Sequence, residues 1–312
     1  MVITVTLNPA LDKTAELQDL KVGALNRLQQ IRTDVGGKGI NVSKMISALG
    51  GDTIATGFVG GGSGEEIVQT LERMEIPTDF VKVQGVTRTN LKVLDKGSRL
   101  TELNEPGVSV TEKEVEELLQ KIARIISRDT IFVLSGSLCQ GVDSEFYARL
   151  VRAIHQQAGR VFLDVDGEAF HAAVKEKPEF VKPNKHELLE FFGLNGEFTM
   201  TDLQELCRQL MAYGIPRMAL SLGAEGALFF DGNVCTKGAG LKVNAHSSVG
   251  AGDSMMGAFA YAADQKMSWE ESTRLALAAS AGAVTTIGTK APAKELVESL
   301  LTQVKIEYKE KC

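Results

Sequence analysis

The chain is predicted to adopt an α/β fold, a mainly parallel sheet with helices on both faces, and three observations predict it. Short β-branched runs alternate with helical patterns over nearly the whole length. Glycine turns recur where a strand hands over to a helix, and two long polar insertions interrupt that rhythm. Strands separated by helices imply right-handed crossovers, and ligands of such sheets bind beyond the carboxyl ends of the strands.

Val2–Leu7 is the first expected strand, followed by a helix over Gly39–Leu49 with Ile40, Val42, Met45, Ile46 and Leu49 on its apolar side. Ile54–Val59 is a strand and Glu65–Met74 a helix; Ile131–Leu134 is a buried strand ending at Ser135-Gly136-Ser137. A helix near Ser144–Gln157, strands at Val161–Asp164 and Phe180–Lys182 and a helix from Lys185 continue the alternation. Met218–Leu222 is another strand, and helices over Asp253–Asp264, Trp269–Thr286 and Ala293–Tyr308 are expected to close the chain. The insertions are Leu11–Asp34, extended and polar, and Thr87–Leu103, which alternates as a hairpin around Asp95-Lys96-Gly97-Ser98. Loops this long in compact domains are usually functional. They are therefore expected to pair into a small sheet acting as a flap over the strand ends, rather than to decorate the surface. The expected organisation is a single domain, 1–312, with a lid from about 11–34 and 87–104 inserted in it.

With 312 residues, 44% hydrophobic and 24% charged, the chain can bury a sizeable core. A net charge of −6 argues against nucleic acid or an anionic membrane as the main partner. The opening Met1–Leu7 lacks a basic n-region and is too short for a signal sequence, while Leu275–Ile287 falls short of a membrane span. Cys139, Cys207, Cys235 and Cys312 have neither metal nor redox spacing, and His155, His171, His186 and His246 have no metal spacing. A cytoplasmic protein with reduced thiols is expected.

The most informative stretch is Gly250-Ala251-Gly252-Asp253-Ser254, ahead of an apolar run. Small residues let consecutive N–H groups turn toward one point, and a helix start adds the positive end of its dipole, which makes an anion pocket. Asp253 at its edge would repel a phosphate unless it takes a proton from an attacking hydroxyl. The plainer alternative is that it N-caps the helix. Gly36-Gly37-Lys38-Gly39-Ile40-Asn41 offers close backbone approach, a cation and an amide, and Asn8-Pro9-Ala10-Leu11-Asp12 sets a carboxylate after the first strand. Their coincidence at strand ends suits a polyol. Arg27, Lys38 and Arg88, with Asn90 beside Arg88, would hold a phosphate if they converge and are otherwise solvated charges. Asn184 and Glu187 could steer hydrated Mg²⁺ toward phosphates, or merely form a capping box. Ser221-Leu222-Gly223-Ala224-Glu225-Gly226 could frame a nucleotide or simply turn the chain. Gly57–Gly64 is spelled like a dinucleotide fingerprint, but Glu65 and Glu66 in the first turn of the next helix would repel a pyrophosphate, and the spacing is not Walker A. A nicotinamide enzyme is disfavoured.

Taken in order, Asn8–Asp12, Gly36–Asn41, Ser135-Gly136-Ser137-Leu138, Lys182-Pro183-Asn184-Lys185-His186-Glu187, Ser221–Gly226 and Gly250–Ser254 resemble the ribokinase-like (PfkB-type) carbohydrate kinases over nearly the whole chain. The opening Val5–Ala10, Thr87-Arg88-Thr89-Asn90 and Thr101–Gly107 look like the branch acting on fructose 1-phosphate, with the tagatose 6-phosphate branch as its neighbour. The resemblance implies a ribokinase-like three-layer αβα sandwich with a small β-sheet lid that often serves as a homodimer clasp. It implies phosphorylation of the 6-hydroxyl of a sugar phosphate with ATP and Mg²⁺ as cofactors. Asp253 would be the catalytic base, and Gly250, Ala251 and Gly252 the anion hole. Asp12, Gly37, Lys38, Asn41, Asn90, Asn104 and Ser137 would face the sugar phosphate, with Arg27 and Arg88 near its phosphate. Asn184 and Glu187 would place Mg²⁺; Lys182 would sit near the nucleotide phosphates, and Ser221, Gly223 and Gly226 near the nucleotide. Cys139 stands where relatives usually have proline, a departure expected to alter loop stiffness more than chemistry. A non-catalytic sugar-phosphate-binding regulator is the alternative of a different class, and the intact Asp253 argues against it.

Overall fold

The computed structural model describes residues 1–97, 99–246 and 249–311; Ser98 of the expected hairpin turn and Cys312 lie outside them. β1 (Val2–Thr6) leads into β2 (Ala10–Leu17) and β3 (Gln30–Gly36), then α1 (Lys38–Ala48), β4 (Thr53–Val59) and α2 (Gly61–Arg73). β5 (Val81–Lys82), β6 (Arg88–Asp95) and β7 (Leu100–Asn104) precede α3 (Glu112–Ile125), β8 (Ile131–Ser135) and α4 (Phe146–Gln156). Next come β9 (Arg160–Asp164), α5 (Gly167–Ala173), β10 (Phe180–Val181), α6 (Lys185–Phe191), α7 (Met200–Met211) and β11 (Arg217–Ser221). The hairpin β12 (Ala227–Asp231) and β13 (Val234–Gly238), the helices α8 (Ala251–Asp264), α9 (Trp269–Val284) and α10 (Lys294–Leu301), and β14 (Ile306–Lys311) complete the order.

Among the described residues, the main sheet runs β14-β13-β12-β11-β10-β9-β8-β1-β4-β5. It is parallel from β11 to β5 and antiparallel through β12, β13 and β14. β1 and β8 are buried throughout, as strands covered on both faces must be. Alternation sends Ile3, Val5, Phe132 and Leu134 into one core layer with Leu118 of α3 and Tyr147 and Val151 of α4. Val2, Ile131 and Val133 enter the opposite layer with Val42 and Met45 of α1 and Met256 and Phe259 of α8. The result is a three-layer αβα sandwich. Because the chain winds outward from β1 in both directions, a crevice opens at the carboxyl ends of β1 and β8.

The two insertions pair with each other. They form a separate sheet in the order β3-β2-β6-β7, with β2 parallel to β6 from Ala10↔Arg88 to Leu17↔Asp95. Leu11, Ala15, Leu17 and Val93 are buried on one face, where Ile31 and Leu103 are exposed; Asp12, Asn90 and Lys92 lie on the other, with Leu100 exposed at its margin.

Three expectations are corrected. Ala293–Tyr308 is not one helix: α10 stops at Leu301 and β14 pairs antiparallel with β13. Residues 306–309 alternate with a strand period, and Gln204 of α7 donates to the Tyr308 hydroxyl at 2.8 Å. The helix expected from Glu65 begins four residues earlier, at Gly61, so Glu65 and Glu66 leave its first turn. What closes that glycine turn to a phosphate is packing. Gly60 N–H donates to Thr87 Oγ1 at 2.9 Å, and a Cβ on Gly60 would stand 2.8 Å from the carbonyls of Val83 and Gly85. The expected alternation also passed over α3 and α7, each of which opens on a capping box, Thr111 with Glu114 and Thr199 with Asp202.

No helix among the described residues is long and apolar enough to cross a membrane. Cys139, Cys207 and Cys235 are buried, and burial pushes the Cys139 thiol up to about 12.

Candidate active site

Gly250, in left-handed conformation at φ 81°, is the N-cap of α8 and makes no side-chain cap. Asp253 therefore sits inside the first turn instead of capping it, which removes the plainer of its two readings. Its carboxylate accepts a hydrogen bond from Asn41 Nδ2 of α1 at 2.8 Å. Two segments far apart in the chain, the glycine turn before α1 and the glycine turn before α8, thus meet side chain to side chain. Burial, and next the nearby Asp164 carboxylate, raise the pKa of Asp253 above the ordinary range; the Asn41 bond, Lys38 and Lys182 oppose that shift. A carboxylate so poised is a better proton acceptor than an ordinary aspartate.

Beside it lies a cleft of about 1020 Å³, walled by Lys38, Lys182, Asn184, Glu187, the 221–226 loop and Gly252-Asp253. Asp164, at the carboxyl end of β9 and 2% exposed, anchors both lysines: Lys38 Nζ is 3.3 Å from Oδ1 and Lys182 Nζ 3.2 Å from Oδ2. Burial works against a charged Lys38, but Asp164, Glu187 and Asp253 outweigh it and hold its pKa above that of a free lysine. Burial likewise works against ionised Asp164, and the two lysines prevail, so its pKa falls. A would-be Cβ on Gly252 lies 3.2 Å from Lys182 Nζ, which puts that ammonium directly beside the start of α8. The free N–H groups of the first turn and two cations converge on one point, a site suited to a multiply charged anion.

Asn184 and Glu187 do form the capping box. Glu187 N–H donates to Asn184 Oδ1 at 2.9 Å, and Glu187 Oε2 accepts from Asn184 N–H at 2.8 Å. The second carboxylate oxygen, Oε1, turns to Lys38 at 3.4 Å. Among the described residues no group of three or more His, Cys, Asp or Glu side chains could hold a metal ion. Ser221 lies against the neighbouring strand end, its N–H donating to the Pro183 carbonyl at 3.1 Å.

On the opposite wall, lid side chains hold Asp12 of β2. Asn90 Nδ2 of β6 donates to Oδ1 at 3.0 Å, and Lys92 Nζ, two residues further and on the same face, is 3.4 Å from Oδ2. A Cβ on Gly36 would collide with that carboxylate, which is why the first glycine of its motif must be glycine. Arg88 is not a loose cation. Its Nη atoms donate to the carbonyls of Glu105 (3.2 Å) and Asn8 (3.1 Å), while Nε is buried without a partner. Asn41 Oδ1 and Asn90 Oδ1 are likewise buried and unpartnered. Asn104 pairs in register with Asn90, and Ser137 is half-buried after β8. Gly37 caps α1, at the junction of this wall with the cleft. Arg27 is exposed on the β2–β3 connection and is not brought to the other site residues by any polar contact among the described residues.

Asp164 and Lys92 were missed from sequence. A carboxylate closing a parallel strand, and a lysine two residues from Asn90 in an alternating strand, were the signals available.

A model of the pfkB family carbohydrate kinases matches residues 5–296. The chain belongs to the pfkB family of carbohydrate kinases. Among pfkB relatives, it is 34% identical to the 1-phosphofructokinase of Bacillus subtilis, over 98% of this chain and 99% of that one. It is 32% identical to the 1-phosphofructokinase of Vibrio cholerae, over 98% and 96%. The structure is similar to that of phosphofructokinase-2 from Escherichia coli in complex with substrates and products, with a TM-score of 0.92 and 31% identity over 97% of this chain and 98% of that one. A sugar kinase is what the geometry describes: a proton acceptor set between an anion pocket and a wall of paired polar side chains.

Proposed function

We propose that this carbohydrate kinase transfers the γ-phosphoryl group of ATP to the 6-hydroxyl of D-fructose 1-phosphate, giving fructose 1,6-bisphosphate. The observation that carries it is the Asn41–Asp253 hydrogen bond, which aims a carboxylate with a raised pKa between the anion pocket and the lid wall. The 6-hydroxyl attacks the γ-phosphorus in line and gives its proton to Asp253, the bond to the β–γ bridging oxygen breaks, and ADP leaves. The N–H groups at Gly250, Ala251 and Gly252, with Lys38 and Lys182, meet the charge on the phosphoryl oxygens. Ser221, Gly223 and Gly226 border the nucleotide. Asp12, Gly37, Asn41, Asn90, Asn104 and Ser137 take the sugar hydroxyls, and Arg88 and Arg27 serve the sugar's phosphate.

Capping occupies much of the Asn184–Glu187 pair and Glu187 Oε1 faces Lys38, so the donor set fits a hydrated Mg²⁺ carried in on the phosphates, which Asn184 and Glu187 would hold through its waters, better than a resident ion. When bound, Mg²⁺ neutralises phosphate charge. The small sheet acts as a lid that excludes water and limits idle ATP hydrolysis. Its Ile31 and Leu103, exposed on one face, suit a homodimer clasp in the cytoplasm. Leu103→Asp should shift the sedimentation coefficient to that of a monomer.

ADP release measured with fructose 1-phosphate, fructose 6-phosphate and tagatose 6-phosphate tests the reading. The highest kcat/KM is expected with fructose 1-phosphate. A preference for tagatose 6-phosphate would reassign the substrate, and no ADP release with any of the three would overturn the activity.

A further inference from the structure

Lys44 is a buried cation that neither the phosphoryl transfer nor the sugar contacts use. It lies on α1, is 4% exposed, and reaches two other parts of the molecule. Its Nζ donates to the Val35 carbonyl of β3 at 2.8 Å and to Thr289 Oγ1, on the segment after α9, at 3.3 Å. The carboxylates of Asp34, Asp12 and Asp253 surround it, and Lys92 opposes it. An apolar side chain of the same length would avoid the desolvation that an ammonium suffers here, so this charge is weak evidence for stability and stronger evidence for geometry.

We propose that Lys44 is a positioning residue that locks the root of the lid to the phosphoryl-transfer half of the site. Three placements support it. Val35 stands opposite Leu11 in the β2–β3 register and Asp34 opposite Asp12, so fixing the Val35 carbonyl fixes the strand that carries Asp12. Lys44 follows Asn41 by three residues on α1, so one helix turn holds both the lid root and the partner of Asp253. Thr289 and Gly288 line, with Asp12 and Lys92, a cavity of about 410 Å³ beneath the lid, and a Cβ on Gly288 would collide with Asp34. The ammonium therefore gathers three walls of the sugar side at one atom and, among the described residues, makes no hydrogen bond to the nucleotide cleft.

The inference rests on the phosphotransferase reading, and its test separates the two. Lys44→Met should raise the KM for fructose 1-phosphate by about tenfold, because a small misplacement of Asp12 is costly, while the KM for ATP stays within about twofold. ADP released per sugar phosphorylated should rise, since a loosened lid admits water. Backbone hydrogen exchange of residues 30–36, which needs no turnover, should quicken in the variant relative to α8. Thr289→Val removes one hydroxyl and leaves the ammonium on Val35; it should shift the sugar KM in the same direction by about threefold, and it carries the test if Lys44→Met does not fold. Equal loss of both substrates, or unchanged exchange at 30–36 together with an unchanged sugar KM in the folded variant, would overturn the positioning role. A wild-type chain without activity on any of the three sugar phosphates, but with faster exchange at 30–36 in the variant, would overturn the phosphotransferase reading and leave the lock at the lid root standing.

Discussion

The two walls of the cleft hold their charges by different means. On the main-sheet side, Asp164 ends a strand buried on both faces and grips Lys38 and Lys182 from inside the protein. On the lid side, Asp12, Asn90 and Lys92 hold one another on a four-stranded sheet whose last strand, β7, is exposed at every residue. The first wall is braced by two core layers, the second mainly by its own side chains and by the root at Val35. A rigid wall suits the pre-aligned electrostatics that phosphoryl transfer needs, and an adaptable one suits closure over a substrate.

The contrast can be broken most sharply at Asp253. Asp253→Asn should lower kcat by roughly 10²–10⁴ and leave the sugar KM nearly unchanged; near-normal turnover would remove it from the base role. Lys182→Met should come next. It leaves Asp164 with one cation instead of two, and breaking a buried pair costs about 3–5 kcal/mol, read as a lower denaturant midpoint, with the KM for ATP rising more than that for the sugar. A selective effect on the sugar would contradict the division of the walls.

Lys44 offers a pH test of the root between them. Burial brings its pKa down to about 8, against the pull of Asp34, Asp12 and Asp253 and with help from Lys92. Below pH 8 the folded and unfolded chains both hold the proton, and the cost of burying the charge is fully present. Between about 8 and 10.5 the folded chain releases it first, so stability relative to Lys44→Met should rise with pH by up to about 3 kcal/mol. A flat difference across that window would place the amine in contact with water. Arg88→Ala should raise the sugar KM by an amount worth about 1.5–3 kcal/mol, with the KM for ATP unchanged. A larger loss of stability than of affinity would show that its bonds to the Asn8 and Glu105 carbonyls matter more than the substrate.

The main-sheet wall was legible in sequence because its groups sit in short contiguous motifs: Gly250–Asp253 at a helix start, Asn184–Glu187 at another, Lys38 and Asn41 around a third. The lid was legible as a pair of insertions, and its sheet follows from their alternation. What stayed hidden depends on contacts across long separations. Lys92 matters only because β6 lies parallel to β2, and Lys44 only because a segment some 245 residues away returns to meet it. Asp164 looked like the last residue of a strand until two lysines were seen to face it. The closing helix was misread because the apolar spacing after Ala293 served helix and strand alike until pairing with β13 decided it.

That final strand has a consequence for biosynthesis. β14 shields an otherwise open hydrogen-bonding margin, and its Tyr308 and Glu310 supply the acceptors for the Gln204 amide, buried more than one hundred residues earlier. During translation β13 must wait with that margin bare until residues 306–311 have left the ribosome, a span in which a neighbouring nascent chain could dock there instead.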